Sequence, residues 1–267
     1  MPISLPYPLK RLDKDEFRQL DYAVMAHAFA SQNELGRLCE EAIYQRDLAI
    51  RIQDAGLGSA RIEFPISICY EDFATVYAVD LVVADAAIYE LKTVKKLVGE
   101  HRGQLLNYLL LTDQPRGKLV NLRSPGVESE FVNSALTFSE QRHFSVDPSR
   151  WNTVSDRCQD LQHMVTGLAS DWGVFLEIPL YAAAITHFLG GEARVLAKIP
   201  MTRGGRMLGT QPVHLLTPEV AFRITALKEN LEYYDSHLRR LLQHTELGTI
   251  QWINFCNHVV QLVTITR

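Results

Sequence analysis

The stretch of residues 75–92 constrains the fold of this chain more than any other. It contains two short runs rich in β-branched, aromatic and other apolar residues, separated by residues 84–86. Such a pattern predicts a β-hairpin. If the turn is centred on Asp85, Val83 faces Ala87. For each facing pair further from the turn, the two residue numbers add up to the same value. A slip of one residue would turn every side chain to the opposite face, so this register decides which side chains meet.

In this register, two acidic side chains and a lysine converge in an otherwise apolar hairpin. Asp80 lies opposite Glu90, with Cβ atoms roughly 4.5–5.5 Å apart, and Lys92 returns to the same face two residues later. Two carboxylates can hold one Mg²⁺, which prefers oxygen ligands and keeps several waters. The metal lowers the pKa of a bound water, while the lysine orients the nucleophile or stabilises negative charge. An ordinary surface cluster of charges is the alternative explanation.

Composition limits the classes to which the chain can belong. Its 267 residues, 47% of them hydrophobic, can form the core of one large domain or two small ones. The net charge of −4 argues against tight, indiscriminate binding to polyanions. The four cysteines include no Cys-x-x-Cys pair, which argues against a zinc ribbon or a redox motif. The sequence shows neither the apolar region of a signal peptide nor a run of 18 apolar residues, so we expect a soluble cytoplasmic protein.

Apolar periodicity predicts the helices and strands around this hairpin. The first helix opens at Asp13, where Glu16 completes a capping pair. The other elements predicted in this half are a helix over residues 33–55, a strand over 61–70, a helix over 99–112 and a strand over 117–121. This order predicts an α/β unit built on a mixed sheet.

The second predicted helix carries one further acidic candidate. Glu41 shares a face with Tyr44 and Leu48, because residues three and seven positions apart lie on the same side of a helix. A glutamate between apolar neighbours is costly to bury unless it is paired or bound to a cation. A solvent-exposed glutamate at the rim of the helix is the alternative.

A second region begins near residue 145, where Asp147-Pro148 predicts a turn. The predicted elements beyond it are helices over residues 151–173, 179–189 and 228–244, and two strands flanking Asn257. Residues 202–209 are glycine-rich but lack the Lys-Ser/Thr of a phosphate-binding loop, so we predict a hairpin turn there. The chain is therefore predicted to divide into a core domain, residues 1–145, and an α+β extension, residues 146–267, packed on that core.

Several short motifs follow one another across roughly residues 20–135. They are Leu35-Gly36-Arg-Leu-Cys-Glu-Glu41-Ala-Ile-Tyr44, Tyr77-Ala-Val-Asp80-Leu-Val-Val, Tyr89-Glu-Leu-Lys92, His101-Arg-Gly-Gln104-Leu-Leu-Asn-Tyr108-Leu and Leu119-Val-Asn121. Together they resemble the PD-(D/E)XK nuclease superfamily and, within it, the GxxExxY family. The glycine expected three residues before Glu41 is Leu38 here, although Gly36 is kept.

The resemblance implies an αβββαβ core on a mixed sheet, with Asp80, Glu90 and Lys92 as the metal and catalytic centre. It also implies that Glu41 is a supporting acid and metal ligand, and that Gln104 is a polar partner on the later helix. The expected cofactor is Mg²⁺ or Mn²⁺, and the expected partner is a nucleic acid rather than a membrane.

Two functions therefore follow from the sequence. The first is hydrolysis of phosphodiester bonds in DNA or RNA by a metal-dependent nuclease. The second is a noncatalytic nucleic-acid-binding or interaction module that keeps the nuclease fold. Hydrolysis by a serine or cysteine nucleophile has little support, because no Gly-x-Ser-x-Gly motif occurs. The choice between DNA and RNA, the mode of cleavage and the oligomeric state stay open.

Overall fold

The computed structural model describes residues 2–267, and this part of the chain divides into two compact units. The first unit comprises the chain up to Cys69 together with Ala74–Phe138. The second comprises Ser139–Arg267 and the short segment Tyr70–Phe73. The division after Phe138 lies before the boundary predicted at residue 145. Each unit contains one six-stranded mixed sheet.

The elements of the first half are β1 (Ile3–Ser4), α1 (Lys14–Leu35), α2 (Glu41–Asp54), β2 (Ala60–Tyr70), β3 (Phe73–Val83), β4 (Ala87–Lys92), α3 (Gly99–Thr112), β5 (Arg116–Asn121), β6 (Glu128–Asn133) and α4 (Phe138–Gln141). The first sheet has the strand order β1-β2-β3-β4-β5-β6. Strands β4 and β5 are parallel, and α3 is the crossover between them. A parallel connection needs such a crossover because the chain must return to the same end of the sheet.

The remaining elements are β7 (Ser145–Arg150), α5 (Asp156–Trp172), α6 (Ile178–Phe188), α7 (Glu192–Val195), β8 (Leu196–Arg203), β9 (Arg206–Thr217), β10 (Val220–Thr225), α8 (Leu231–Gln243), β11 (Thr249–Cys256) and β12 (Val259–Thr266). The second sheet has the order β7-β12-β11-β10-β9-β8. Helix α8 packs on it through Leu238 and Leu242, which contact the cluster around Trp252. No helix within residues 2–267 combines the length and the apolar character needed to cross a bilayer.

The β3–β4 hairpin has the predicted register. Val83 pairs with Ala87, and Leu81 pairs with Tyr89. The turn lies at Ala84 and Asp85, whose φ angles are +56° and +51°. Two successive left-handed residues match the twist of the flanking strands, which is why this kind of turn closes tight hairpins.

The start of α1 confirms the capping prediction. The Asp13 side chain accepts hydrogen bonds from the amides of Asp15 and Glu16, and Glu16 accepts one from the amide of Asp13. The predicted second helix is wrong at its start. Helix α1 continues to Leu35, and Gly36, at a φ of +73°, ends it before α2 begins at Glu41.

The region after residue 140 also corrects two predictions. The turn predicted at Asp147-Pro148 lies inside β7, which pairs in parallel with β12. The helix predicted from residue 151 therefore begins only at Asp156. The glycine-rich segment forms the predicted hairpin, because Gly204 and Gly205 connect the antiparallel strands β8 and β9.

The core of the first unit lies between α1, α2 and the central strands. Its buried members include Phe17 on α1, Tyr44 and Leu48 on α2, and Tyr89 and Leu91 on β4. Burying one such side chain contributes about 1.5–3 kcal/mol to stability. These contacts fix the first turns of α2 beside β4, the strand that carries two of the predicted site residues.

Candidate functional site

Asp80 is held by two hydrogen-bond donors from different elements. The backbone amide of Leu91 on β4 donates to its Oδ2 atom at 2.7 Å, and Gln45 Nε2 on α2 donates to its Oδ1 atom at 2.9 Å. The carboxylate thus binds an amide of the neighbouring strand, just beyond the last backbone pair of Leu81 with Tyr89. With both oxygens bound, the orientation of Asp80 is fixed.

Glu90 and Lys92 form a buried pair on β4. The side chain of Glu90 is fully buried, and Lys92 is 8% exposed. Lys92 Nζ lies 2.5 Å from Glu90 Oε1 and 3.8 Å from Asp80 Oδ2. Glu90 Oε2 is also buried, and it has no hydrogen-bond partner among the described residues. The structure therefore brings Asp80, Glu90 and Lys92 together, as the sequence register predicts.

Glu41 is the third acid near this lysine. It lies in the first turn of α2, its side chain is 34% exposed, and its Oε1 atom is 4.0 Å from Lys92 Nζ. Burial raises the pKa of Glu41, with opposing contributions from Lys92, which lowers it, and Asp80, which raises it. Glu41 therefore lies at the edge of the cluster.

Burial is also the main cause of the pKa shifts of the two central carboxyls. It raises the pKa of Glu90 to about 8, with further contributions from Asp80. The pKa of Asp80 is raised as well, first by burial, against the lowering effect of Lys92. With a pKa of about 8, Glu90 keeps its proton at neutral pH when no metal is bound.

Burial has the opposite effect on the pKa of Lys92. Burial lowers its pKa, but the carboxylates of Glu90, Asp80 and Glu41 together outweigh this effect, and the net shift is upward. The ammonium therefore stays protonated at neutral pH. As an ammonium it can donate hydrogen bonds and stabilise negative charge.

Gln104, the other residue implied by the resemblance, is not part of this cluster. Its Nε2 atom donates to the hydroxyl of Tyr108, one turn later on α3, at 3.0 Å. In the described part of the chain, no hydrogen bond or ion pair joins it to Asp80, Glu90 or Lys92.

Two residues near the site were missed by the sequence analysis. Gln45 follows Glu41 by four positions on α2, a spacing that places both side chains on one face and could have identified it. Glu63 is exposed, and its charge raises the pKa of both Asp80 and Glu41. Its φ of +50° is unusual inside a strand, and the sequence gives no signal for it.

The donor set fits a hard divalent cation with few protein ligands. In residues 2–267, no group of three or more His, Cys, Asp and Glu side chains is placed to hold a metal ion. Mg²⁺, however, is commonly bound by only one or two carboxylates together with waters and substrate phosphates. Asp80 and Glu90 supply two such groups, and the unpartnered Oε2 atom of Glu90 is a buried acceptor that a cation could satisfy.

The sequence also matches a known family over this part of the chain. Residues 18–134 match the model of the PD-(D/E)XK nuclease superfamily. The match includes the whole cluster of Glu41, Asp80, Glu90 and Lys92. Nucleases of this superfamily typically use divalent metals. The two mixed sheets and the helices around them are consistent with a PD-(D/E)XK nuclease fold.

Curated proteins and solved structures were also compared with this chain. No curated protein matches this chain. The crystal structure of SSO0001 is similar at 20% sequence identity, with a TM-score of 0.29. That alignment covers 47% of this chain and 61% of the SSO0001 chain, so this chain spans less than two thirds of its length.

Proposed function

We propose that the first unit is a divalent-metal-dependent nuclease that hydrolyses phosphodiester bonds of a nucleic acid. Asp80 and Glu90 hold Mg²⁺ or Mn²⁺, and Lys92 assists the reaction. The observation that carries the proposal is the fully buried Glu90 carboxyl, whose Oε2 atom has no hydrogen-bond partner in the described residues, next to Asp80. Both residues lie in the segment that matches the nuclease superfamily.

A purely structural role explains this cluster less well. One buried lysine is neutralised by one carboxylate, and Glu90 already approaches Lys92 at 2.5 Å. Asp80 and Glu41 add acidic groups within 4.0 Å of the same ammonium. An excess of buried acids is unfavourable unless they share protons or a cation. A divalent cation would replace the proton that Glu90 keeps and would balance the charge of the acids.

Each residue then has a distinct role. A bound divalent ion would lower the pKa of a water and neutralise charge on a phosphate oxygen. Lys92, held as an ammonium, stabilises the negative charge that develops on the scissile phosphate. Gln45 fixes the orientation of Asp80 by donating to its Oδ1 atom. It is a positioning residue, because it acts through Asp80.

The finer assignment to the GxxExxY family is part of this proposal. It makes Glu41 a supporting acid that also binds the metal, in agreement with its 4.0 Å distance from Lys92. It makes Gln104 a polar partner on α3, because donation from its Nε2 atom to Tyr108 leaves the carbonyl oxygen of its amide as an acceptor.

A cleavage assay tests the proposal. The full chain is incubated with labelled single- and double-stranded DNA and RNA, in Mg²⁺, Mn²⁺ or EDTA. We expect cleavage only with metal, and a loss of at least about 100-fold in Asp80→Asn and Glu90→Gln. Asp85→Asn is the matched control, since it removes a carboxylate from the turn of the same hairpin, where Asp85 contacts Ser59 and Arg61.

The outcomes separate the two functions that the sequence leaves open. Cleavage that persists in EDTA, or in Asp80→Asn at the wild-type rate, contradicts the proposal. Binding of a nucleic acid without cleavage by the wild type, at any metal concentration, supports the noncatalytic module instead.

A further inference from the structure

A positively charged segment stands out in the second unit. The chain has a net charge of −4, yet no acidic residue occurs between Glu192 and Glu219. This interval contains four basic residues, Arg194, Lys198, Arg203 and Arg206. Three of them, Lys198, Arg203 and Arg206, lie on β8 and β9, which form a long antiparallel hairpin at the edge of the second sheet. Positive charge is thus concentrated on one element of an acidic protein.

Two arginines face each other at the end of this hairpin. Arg203 pairs directly with Arg206 across the turn formed by Gly204 and Gly205. Both glycines have positive φ angles, +56° and +75°, as a tight two-residue hairpin turn requires. Like charges directly opposite each other destabilise a strand pair. Among the described residues, neither arginine has an acidic group within 4.0 Å, so a bound anion would remove an unfavourable interaction.

The end of the hairpin is open to solvent. Arg203 and Arg206 are exposed, and the adjacent Met207 and Leu208 are 60% and 63% exposed. A methyl group added to Gly204 or Gly205 would meet no atom within 4 Å. The two arginines and the two apolar side chains, which we call the basic tip, are therefore accessible to a large partner.

The base of the tip is fixed. The amide of Thr202 donates to the carbonyl oxygen of His244 at 2.8 Å, and His244 Nδ1 lies 3.0 Å from the carbonyl oxygen of Thr202. His244 directly follows α8, so these two contacts join the hairpin to that helix. Binding through the tip would cost less conformational entropy than binding through a free loop.

We infer that the basic tip binds double-stranded DNA. In this complex Arg203 and Arg206 contact phosphates, and Met207 and Leu208 pack against the major groove. This inference rests on the proposed function, since it names the substrate class of the nuclease. The major groove of B-form DNA is about 12 Å wide and admits a two-stranded β-ribbon, whereas the major groove of A-form RNA is too deep and narrow for side chains to read. The glycine turn lets the backbone approach the DNA closely.

The test measures binding without cleavage. A labelled 20-bp DNA duplex is titrated with the full chain in EDTA, by fluorescence anisotropy, at several salt concentrations. The double variant Arg203→Gln/Arg206→Gln is compared with Lys228→Gln/Arg240→Gln, which removes two exposed charges elsewhere in the same unit. An RNA duplex of the same sequence and a single DNA strand are titrated in parallel.

We expect the tip variant to bind the DNA duplex at least about tenfold more weakly than the wild type. Loss of two phosphate contacts should also reduce the slope of log affinity against log salt by about 1.8. The control variant should bind within about twofold of the wild type. Unchanged melting of both variants by circular dichroism shows that the fold is intact.

The inference is overturned if the wild type does not bind the DNA duplex, if the tip variant binds like the control, or if the RNA duplex binds equally well through the tip. These results are separate from the cleavage assay. A chain that binds DNA through the tip but cleaves nothing contradicts only the proposed nuclease. A chain that cleaves DNA while the tip variant binds normally contradicts only the role of the tip.

Discussion

Replacing Glu90 by glutamine should change how the stability of the metal-free protein depends on pH. Burial and the neighbouring Asp80 raise the pKa of Glu90 to about 8 in the folded chain, against 4.5 when it is unperturbed. The folded state therefore holds this proton more tightly than the unfolded state. The stabilisation is complete below about pH 4.5 and is lost as the pH rises through 8. Glutamine mimics the protonated carboxyl, so Glu90→Gln should not show this loss.

The size of the effect follows from the two pKa values. Each pKa unit corresponds to 1.36 kcal/mol, so full ionisation of Glu90 costs the folded state about 5 kcal/mol. About 3 kcal/mol of that loss falls between pH 6 and pH 9. Lys92 keeps an acceptor in the variant, because the glutamine oxygen can replace Oε1. We therefore expect Glu90→Gln to exceed the wild type by about 2 kcal/mol at pH 6 and by about 5 kcal/mol at pH 9.

The assay is unfolding by urea in EDTA at pH 6, 7.5 and 9. The three tryptophans, Trp151, Trp172 and Trp252, all belong to the second unit. Tryptophan fluorescence therefore follows that unit, while far-ultraviolet circular dichroism follows both. The effect of Glu90→Gln should appear in the unfolding of the first unit, which circular dichroism detects.

A control variant shows whether the pH dependence comes from a proton that Glu90 retains in the folded chain. Asp54→Asn removes an exposed carboxylate at the end of α2 and should follow the wild type at all three pH values. Titrating groups distant from Glu90 cancel when variant and wild type are compared at the same pH. If the difference between Glu90→Gln and the wild type does not change from pH 6 to pH 9, Glu90 does not retain a proton in the folded chain.

Two further variants test neighbouring parts of the first unit. Because Glu41 adds negative charge beside the buried acids, Glu41→Gln should slightly raise the melting temperature in EDTA and reduce the rise caused by Mg²⁺ or Mn²⁺, at fixed ionic strength; two unchanged melts would make Glu41 an ordinary surface residue. Asp21 and Lys118 form a buried ion pair at 2.8 Å, so Asp21→Asn should lower the free energy of unfolding by about 3–5 kcal/mol. The exposed Asp15→Asn on the same helix is its control, and an equal effect of both variants would refute the role of the pair.

The central hairpin could be predicted because its signals are local. Alternating apolar residues indicate the faces of the strands, and the turn at Asp85 fixes the register. Residue spacing alone therefore predicts that Asp80, Glu90 and Lys92 lie on the same face. Glu41 and Gln45 lie one helical turn apart, which a helix period also reveals. These contacts depend on sequence spacing and on few long-range interactions.

The features that were missed depend on tertiary context. The apolar positions Leu35 and Leu38 suggested a continuous helix, yet Leu38 is 84% exposed, because the chain turns at Gly36. Strand β7 was missed because Asp147-Pro148 is typical of a turn, while its pairing with β12 joins residues distant in sequence. The left-handed backbone of Glu63 has no local signal at all. Long-range strand pairing and backbone strain are therefore what the sequence does not reveal.

The most direct test of the nuclease proposal is calorimetric titration of the metal-free chain with Mn²⁺ at pH 7, in two buffers of different ionisation heat. The wild type should bind the ion and release about one proton, because the metal displaces the proton that Glu90 keeps at pH 7. Asp80→Ala should bind at least about tenfold more weakly and release fewer protons, while Asp85→Asn should match the wild type. If the wild type binds no metal, or if Asp80→Ala binds it equally well, these carboxylates are not a metal centre.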